Sequence, residues 1–82
     1  MKSVYVLSYI DVIDSDNSVG SGVLGVFATK KLAQKEMREN YKADKGDGCI
    51  DSCEIGNNGA RIDFGDYDYI EYTITKLDIQ GA

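Results

Sequence analysis

The sequence contains a single helix-forming segment among short, β-branched apolar segments, and this limits the folds that it can adopt. From Lys30 to Tyr41 the residues favour a helix, and apolar residues recur about once per turn. Thr29 precedes this segment and is a favourable N-cap residue. The apolar stripe consists of Leu32, Ala33, Met37 and Tyr41. Because a lone amphipathic helix buries its stripe against a sheet, the pattern predicts a two-layer α+β fold.

The remaining apolar segments predict about five strands. They cover residues 2–10, 22–27, 49–55, 60–64 and 67–79. The first is apolar on both faces, which predicts an interior position in the sheet. In the last, Ile70, Tyr72 and Ile74 alternate with polar residues, which predicts one packed face and one face in water. Polar residues 11–21 predict a long loop, and Gly56–Gly59 predicts a tight turn. The expected order is ββαβββ, a mainly antiparallel sheet in a single domain of residues 1–82.

Composition excludes several kinds of catalytic site. The 82 residues contain no histidine, which rules out a histidine general base, a Ser-His-Asp triad and histidine metal ligands. Cys49 and Cys53 would lie on the same face of a strand about 13 Å apart, which is too far for a disulfide. Two thiols without histidine do not complete a zinc site. We therefore expect a protein that is not an enzyme, with no cofactor and no metal.

The N-terminal segment and the first acidic loop have simple interpretations. The apolar run Val4–Leu7 is too short and too interrupted for a signal peptide, so we expect a cytoplasmic protein without a membrane span. The loop with Asp11, Asp14 and Asp16 lacks the glycine and the closing glutamate of a calcium-binding EF-hand loop. It is expected to be an ordinary solvated loop.

Charge is divided unequally along the chain. Residues 30–45 hold six basic residues, whereas residues 46–82 hold eight acidic residues and two basic ones. Alternate carboxylates on a strand are about 7 Å apart, similar to successive phosphates of a nucleic acid. Such a surface would compete for the Lys/Arg surface of a nucleic-acid-handling protein; the alternative is a solvated surface that promotes solubility. The candidate partner-binding residues are Asp51, Asp63, Asp66, Tyr67, Asp68, Tyr69 and Glu71. Direct nucleic-acid binding is not expected from a chain of net charge −5.

Two other functions remain open at the level of sequence. Lys30, Lys31 and Lys35 near the start of the helix would suit an anion, which predicts a binding module for a small anionic ligand or nucleotide signal. A structural accessory protein is the other alternative. Pairing through a sheet edge or the open sheet face would make a homodimer.

Two segments carry a resemblance to known proteins. The segments Val4–Leu7 and Gly25–Ala33, the latter with its Gly-Val-Phe and Thr-Lys-Lys-Leu-Ala sequences, resemble small accessory proteins of bacteria and their phages, and the resemblance covers about the first half of this chain. The chain is short, acidic and rich in tyrosine, and in these general features it is similar to phage-encoded inhibitors of host defence such as anti-CRISPR proteins. The resemblance implies an inhibitor from a phage or mobile element, with a bacterial defence nuclease complex as partner. It implies no catalytic residue.

Charge reversal tests the acidic-surface hypothesis directly. Changing Asp66→Lys and Asp68→Lys together is expected to abolish binding of a basic partner, because like charges would then face each other. Binding is measured by affinity capture, and circular dichroism shows whether the fold is retained. Undiminished capture by a folded double variant would contradict the hypothesis.

Overall fold

A computed structural model describes residues 2–13, 18–46, 52–65 and 67–79 of the chain. Its elements are strands β1 (Lys2–Ile13) and β2 (Ser18–Phe27), helix α1 (Lys30–Lys45), and strands β3 (Ser52–Ile55), β4 (Gly59–Gly65) and β5 (Asp68–Ile79). The strands form one sheet in the order β2-β1-β5-β4-β3, and all neighbouring strands are antiparallel. The predicted two-layer α+β fold and the order ββαβββ are confirmed. Strand β1 is interior, as its two apolar faces predict.

Helix α1 begins and ends with recognisable capping contacts. Thr29 has extended backbone angles, and its hydroxyl accepts a hydrogen bond from the Leu32 amide at 3.2 Å, so the predicted N-cap is confirmed. The helix extends beyond Tyr41 to Lys45. It ends at Gly46, whose φ of 47° lies in the left-handed region and whose amide donates to the Lys42 carbonyl at 3.1 Å.

The core lies between α1 and one face of the sheet. The helix contributes Ala33, Met37 and Tyr41, which recur every four residues. The sheet contributes Leu7, Ala60, Ile62, Tyr72 and Ile74. The inclusion of Leu32 in the predicted stripe is wrong, since its side chain is 50% exposed. Leu32 is rotated about 100° from Ala33 around the helix axis, and this rotation directs it away from the sheet.

The hairpin between β1 and β2 is longer than the sequence predicts. Residues Asp11–Ile13 and Ser18–Ser21 belong to paired strands, with Val12 opposite Val19 and Asp11 opposite Gly20. The predicted loop of 11–21 is therefore wrong at both ends. Cross-strand pairing outweighs the local turn preference of serine and glycine here. Asp14, Asp16 and Asn17 lie outside the described residues.

The end of β4 also differs from the prediction. The sequence predicts that the last strand begins at Tyr67, but this residue lies in the turn before β5 and has a φ of 69°. The register shifts between Asp63 and Gly65, and Gly65 has a φ of 94°. The chain is thus turned back before β5 begins at Asp68. The predicted strand residues 49–51 lie outside the described residues.

Gly59 occupies a position where a side chain does not fit. It lies opposite Thr73 at the start of β4, and a Cβ atom added there would be 2.8 Å from the backbone carbonyl oxygen of Tyr72. Because a backbone oxygen within a sheet moves only with its strand, the contact requires glycine. Gly56, in the turn of the same hairpin, has only an ordinary 3.8 Å contact to the Gly59 carbonyl.

These two glycines form a matched pair for a stability test. Gly59→Ala is expected to lower the free energy of unfolding by about 1–3 kcal/mol through overpacking between β4 and β5. Gly56→Ala adds the same methyl group without a steric conflict and is expected to change it by less than about 1 kcal/mol. Urea unfolding monitored by tyrosine fluorescence provides both values. Equal effects of the two substitutions would argue against the close approach at Gly59.

Candidate functional site

The face of the sheet opposite α1 carries the polar residues that are brought together by strand pairing. Because side chains alternate along a strand, Arg61 and Asp63 of β4 share this open face with Tyr69 and Glu71 of β5. Three of the predicted partner-binding residues, Asp63, Tyr69 and Glu71, therefore lie together.

The other predicted partner-binding residues have different positions. Asp68 begins β5 opposite Gly65, and alternation places its side chain on the face opposite that of Tyr69. Tyr67 lies in the turn that precedes β5. Asp51 and Asp66 lie outside the described residues.

Strand register produces a polar cluster centred on Arg61. Arg61 is opposite Glu71 on β5 and opposite Glu54 on β3, while Asp63 is opposite Tyr69 and Ser52. Directly opposed side chains on adjacent strands are near enough to interact. The register thus surrounds one guanidinium group with carboxylates, a hydroxyl and an aromatic ring.

The guanidinium group of Arg61 contacts three of these neighbours. Its Nη2 atom is 3.2 Å from Oδ1 of Asp63, and its Nη1 atom is 3.4 Å from Oε2 of Glu71. Its Nε atom also donates to both carboxylate oxygens of Asp63, at 3.3 and 3.2 Å. Its Cζ atom lies 4.0 Å from the centre of the Tyr69 ring, within the range of a cation–π contact. We call Arg61, Asp63, Tyr69 and Glu71 the Arg61 cluster.

Arg61 and Asp63 each favour the charged form of the other within the Arg61 cluster. The hydrogen bonds from Arg61 lower the pKa of the Asp63 carboxyl below its ordinary value, and the Ser52 hydroxyl, which donates at 3.1 Å, adds to the effect. Conversely, the hydrogen bond to Asp63 raises the pKa of Arg61. The acidic groups here are therefore not a row of isolated negative charges. Arg61 was not among the predicted site residues, although its spacing of two residues from Asp63 already places both on one face of a strand.

Tyr67 is the most exposed aromatic residue of the described chain. Its side chain is 84% exposed, and it lies in the turn between Gly65 and β5. Among the described residues it alone combines a positive φ with a side chain. The left-handed conformation costs a residue with a Cβ atom roughly 1–2 kcal/mol. A bulky aromatic side chain is thus held in water at a strained position of the backbone.

The predicted anion-binding lysines are on the opposite side of the molecule from the Arg61 cluster. Lys31 and Lys35 border a shallow depression of about 410 Å³ on the outer surface of α1, together with Leu32, Arg38, Glu39 and Lys42. Lys30, at the first position of the helix, is not part of its lining. Apart from Glu39, the charged residues of this depression are basic.

A second cavity lies between the end of α1 and the β1–β2 hairpin. It has a volume of about 240 Å³ and is lined by Tyr9, Asp11, Leu24, Asn40, Asp44, Ile70 and Tyr72. Burial raises the pKa of the Asp44 carboxyl, and the negative charge of Asp11 raises it further. The sequence did not indicate this cavity, because its residues come from four separate elements. Among the described residues, no three His, Cys, Asp or Glu side chains are grouped so as to hold a metal ion.

Cys53 contributes to packing between β3 and α1. Its thiol is free and half-buried against the core, in line with the prediction of a small buried hydrophobe. A hydrogen bond with this thiol, and then burial, raises the pKa of the Tyr41 phenol above its ordinary value of 10.0. Cys49 lies outside the described residues.

Comparisons with other proteins provide no relative for this chain. No protein-family model, no curated protein and no solved structure matches it. In the described part of the chain, no helix is both long and apolar enough to cross a membrane.

The Arg61 cluster predicts a specific pH response. A carboxyl whose pKa is lower in the folded state stabilises the fold above its ordinary pKa of 3.8, and that contribution is lost as the pH falls through the folded value. Arg61→Gln is expected to raise the pKa of Asp63 towards 3.8 and so weaken the fall in stability below pH 4. NMR titration of the carboxyl carbon measures the pKa. Lys76→Gln, which removes one positive charge elsewhere on the sheet, should leave the Asp63 titration unchanged.

Proposed function

We propose that this protein is a binding module that acts by occupying the surface of a partner protein, with the β4–β5 hairpin at the centre of the contact. The observation that carries the proposal is the exposed, conformationally strained Tyr67. Glycine would relieve the strain at this position, and a polar side chain would be better hydrated there. A partner surface that covers the ring would explain why an exposed aromatic side chain is kept at a strained position of the backbone.

The chemistry of tyrosine supports this role for the hairpin. Tyrosine supplies a large contact area and one hydrogen-bonding group with little loss of side-chain entropy, and it is enriched among the residues that dominate protein interfaces. Tyr67 is followed directly by Asp68, the first residue of β5, which pairs with β4. The ring is thereby presented from a defined position, which lowers the entropic cost of binding.

The Arg61 cluster would form the polar part of the same contact. Its members Asp63 and Glu71 are held in place by Arg61, so they need not be ordered when a partner binds. Their outer oxygen atoms can still accept hydrogen bonds from lysine or arginine side chains. The ion pairs with Arg61 reduce the resemblance to a row of phosphates. A contact that combines a central tyrosine with carboxylates paired to Arg61 therefore fits this surface better than mimicry of a nucleic acid by charge alone.

The net charge of −5 favours a basic partner. Opposite net charges speed association and discriminate against other acidic proteins. We propose a nucleic-acid-handling bacterial protein as the partner class, with the chain acting as an inhibitor of the anti-CRISPR type, because such proteins present lysine and arginine on the surfaces that bind phosphates. The chain would inhibit its partner by covering that surface, without catalysing a reaction.

A second candidate function is favoured by the basic depression on α1. Lys31, Lys35, Arg38 and Lys42 line one side of the helix around a concave surface. This arrangement would suit a small anionic ligand such as a nucleotide. A nucleotide that binds the folded chain would raise its melting temperature, whereas the hairpin proposal predicts no such shift.

Substitution of Tyr67 separates binding from stability. Tyr67→Gly should leave the free energy of unfolding unchanged or raise it by up to about 1 kcal/mol, because relief of the strained φ offsets the added chain entropy of glycine. The same variant should lose at least about 30-fold in affinity for the partner, since an aromatic anchor at an interface contributes about 2 kcal/mol or more. Tyr67→Phe keeps the ring and serves as the matched control, with affinity expected to stay within about tenfold of the original.

The measurement is affinity capture from a bacterial lysate, washed at low and at high salt, with all three chains in parallel. The proposal expects a nucleic-acid-handling protein that is retained by the original chain at low salt, lost at high salt, and absent with Tyr67→Gly. A partner captured equally by Tyr67→Gly would place the contact elsewhere on the molecule.

A further inference from the structure

The two edges of the sheet differ in length and in charge. Strand β3 forms one edge, has four residues and includes Glu54. Strand β2 forms the other edge and has ten residues, from Ser18 to Phe27, without a charged side chain or a proline. This uncharged run stands out in a chain in which 28% of residues are charged.

Strand β2 has few of the features that keep an edge strand from pairing. Natural sheets protect their edges with short strands, lysine, proline, bulges or a covering segment. The one such feature in β2 is a bulge at Leu24, where the register with β1 shifts between Leu7 and Ser8. The five residues before it, Val19–Val23, pair with β1 without interruption, and their outer backbone edge can accept another strand.

We infer that two copies of this chain pair through β2 in antiparallel orientation, with the two-fold axis at Ser21. In this register Val19 of each copy faces Val23 of the other, and Gly20 faces Gly22. Val19 and Val23 are on the open face and are 71% and 63% exposed, so each would be covered by its counterpart. The glycines fall on the helix side, where they leave room for the Tyr9 ring that packs beside Gly22.

Each chain carries a net charge of −5, but the described carboxylates lie far enough from the β2 edge for two copies to pair there. The nearest described carboxylate, Asp11, is on β1, one strand from the edge, and pairs with Gly20. Strands lie about 4.8 Å apart, so the Asp11 residues of two paired copies would be at least about 14 Å apart across three strand spacings. That separation exceeds the Debye length of about 8 Å at physiological ionic strength. The Arg61 cluster lies farther still from the edge, on β4 and β5.

The length of the shared segment indicates how stable the pair is. An overlap of Val19–Val23 is about 17 Å long at 3.4 Å per residue. An interface of one strand pair and two valine contacts is at the small end of specific interfaces. The dimer is therefore expected to exchange with monomer and to depend on concentration. It uses none of the residues of the β4–β5 hairpin, so it is independent of the proposed partner contact.

Charge substitution at the two-fold axis tests the pairing. Sedimentation over a concentration series should show the original chain shifting from its monomer mass of 9.0 kDa to twice that value. Ser21→Lys places two ammonium groups directly opposite each other and should leave only monomer. Thr75→Lys adds the same charge to the open face of the interior strand β5 and should leave the dimer intact.

The outcomes of this experiment are distinct. An original chain that stays monomeric at every concentration would overturn the inference and leave the edge available to a strand of another protein. A dimer that survives Ser21→Lys would also overturn it. Loss of the dimer with Thr75→Lys would place the interface on the open face instead.

A disulfide test complements the charge substitution, because it detects the formation of a covalent dimer and not the loss of one. Facing Cα atoms in an antiparallel pair are about 4.5–5.5 Å apart, which is within the range for a disulfide. Ser21→Cys should therefore form a covalent dimer on mild oxidation that disappears on reduction. Thr75→Cys is the control, because its counterpart would be at least about 24 Å away across five strand spacings. Equal cross-linking of the two variants would contradict pairing at β2.

Discussion

The structure depends on the burial of one helix against one face of a sheet that is longer than the helix. Helix α1 has 16 residues and is about 24 Å long, whereas the 12-residue strands β1 and β5 extend to about 40 Å. The overall dimensions of 46 × 23 × 15 Å reflect this difference. One helix can cover only part of one face, so the opposite face, the hairpin ends and the edge at β2 remain in contact with solvent. The surfaces proposed to bind a partner protein and a second copy of the chain both result from this incomplete cover.

The antiparallel register then determines what each uncovered surface carries. On the open face, the pairing of β4 with β5 surrounds Arg61 with two carboxylates and an aromatic ring. Towards β2 the same face carries valines, with Val6 opposite Val26 and Val12 opposite Val19. The open face is therefore polar towards one edge and apolar towards the other. This division would let the β4–β5 hairpin bind the proposed basic partner while β2 forms the proposed pair with a second copy.

Much of the fold could be predicted because it depends on local patterns. The period of α1, its Thr29 cap and the alternation of Ile70, Tyr72 and Ile74 are each contained within one segment, and all three are confirmed. The errors occur where distant segments compete with local preference. Pairing of Val12 with Val19 extends the first hairpin into a segment of turn-forming residues, and the glycine turn at Gly65 separates Tyr67 from the strand it was expected to begin. Leu32 was misplaced because periodicity gives the approximate stripe but not the rotation of the helix about its axis.

The two-layer architecture, the number and order of its elements, and the separation of basic helix residues from acidic strand residues all follow from the amino-acid sequence alone. The tertiary structure was needed to show that Arg61 forms ion pairs with Asp63 and Glu71, that Tyr67 is strained and exposed, and that β2 is the long uncharged edge. The physical reason is that helical and strand periods arise from neighbouring residues, whereas ion pairs and sheet edges arise from strand order and register. Strand order and register are set by contacts between segments far apart in the chain, which no local pattern records.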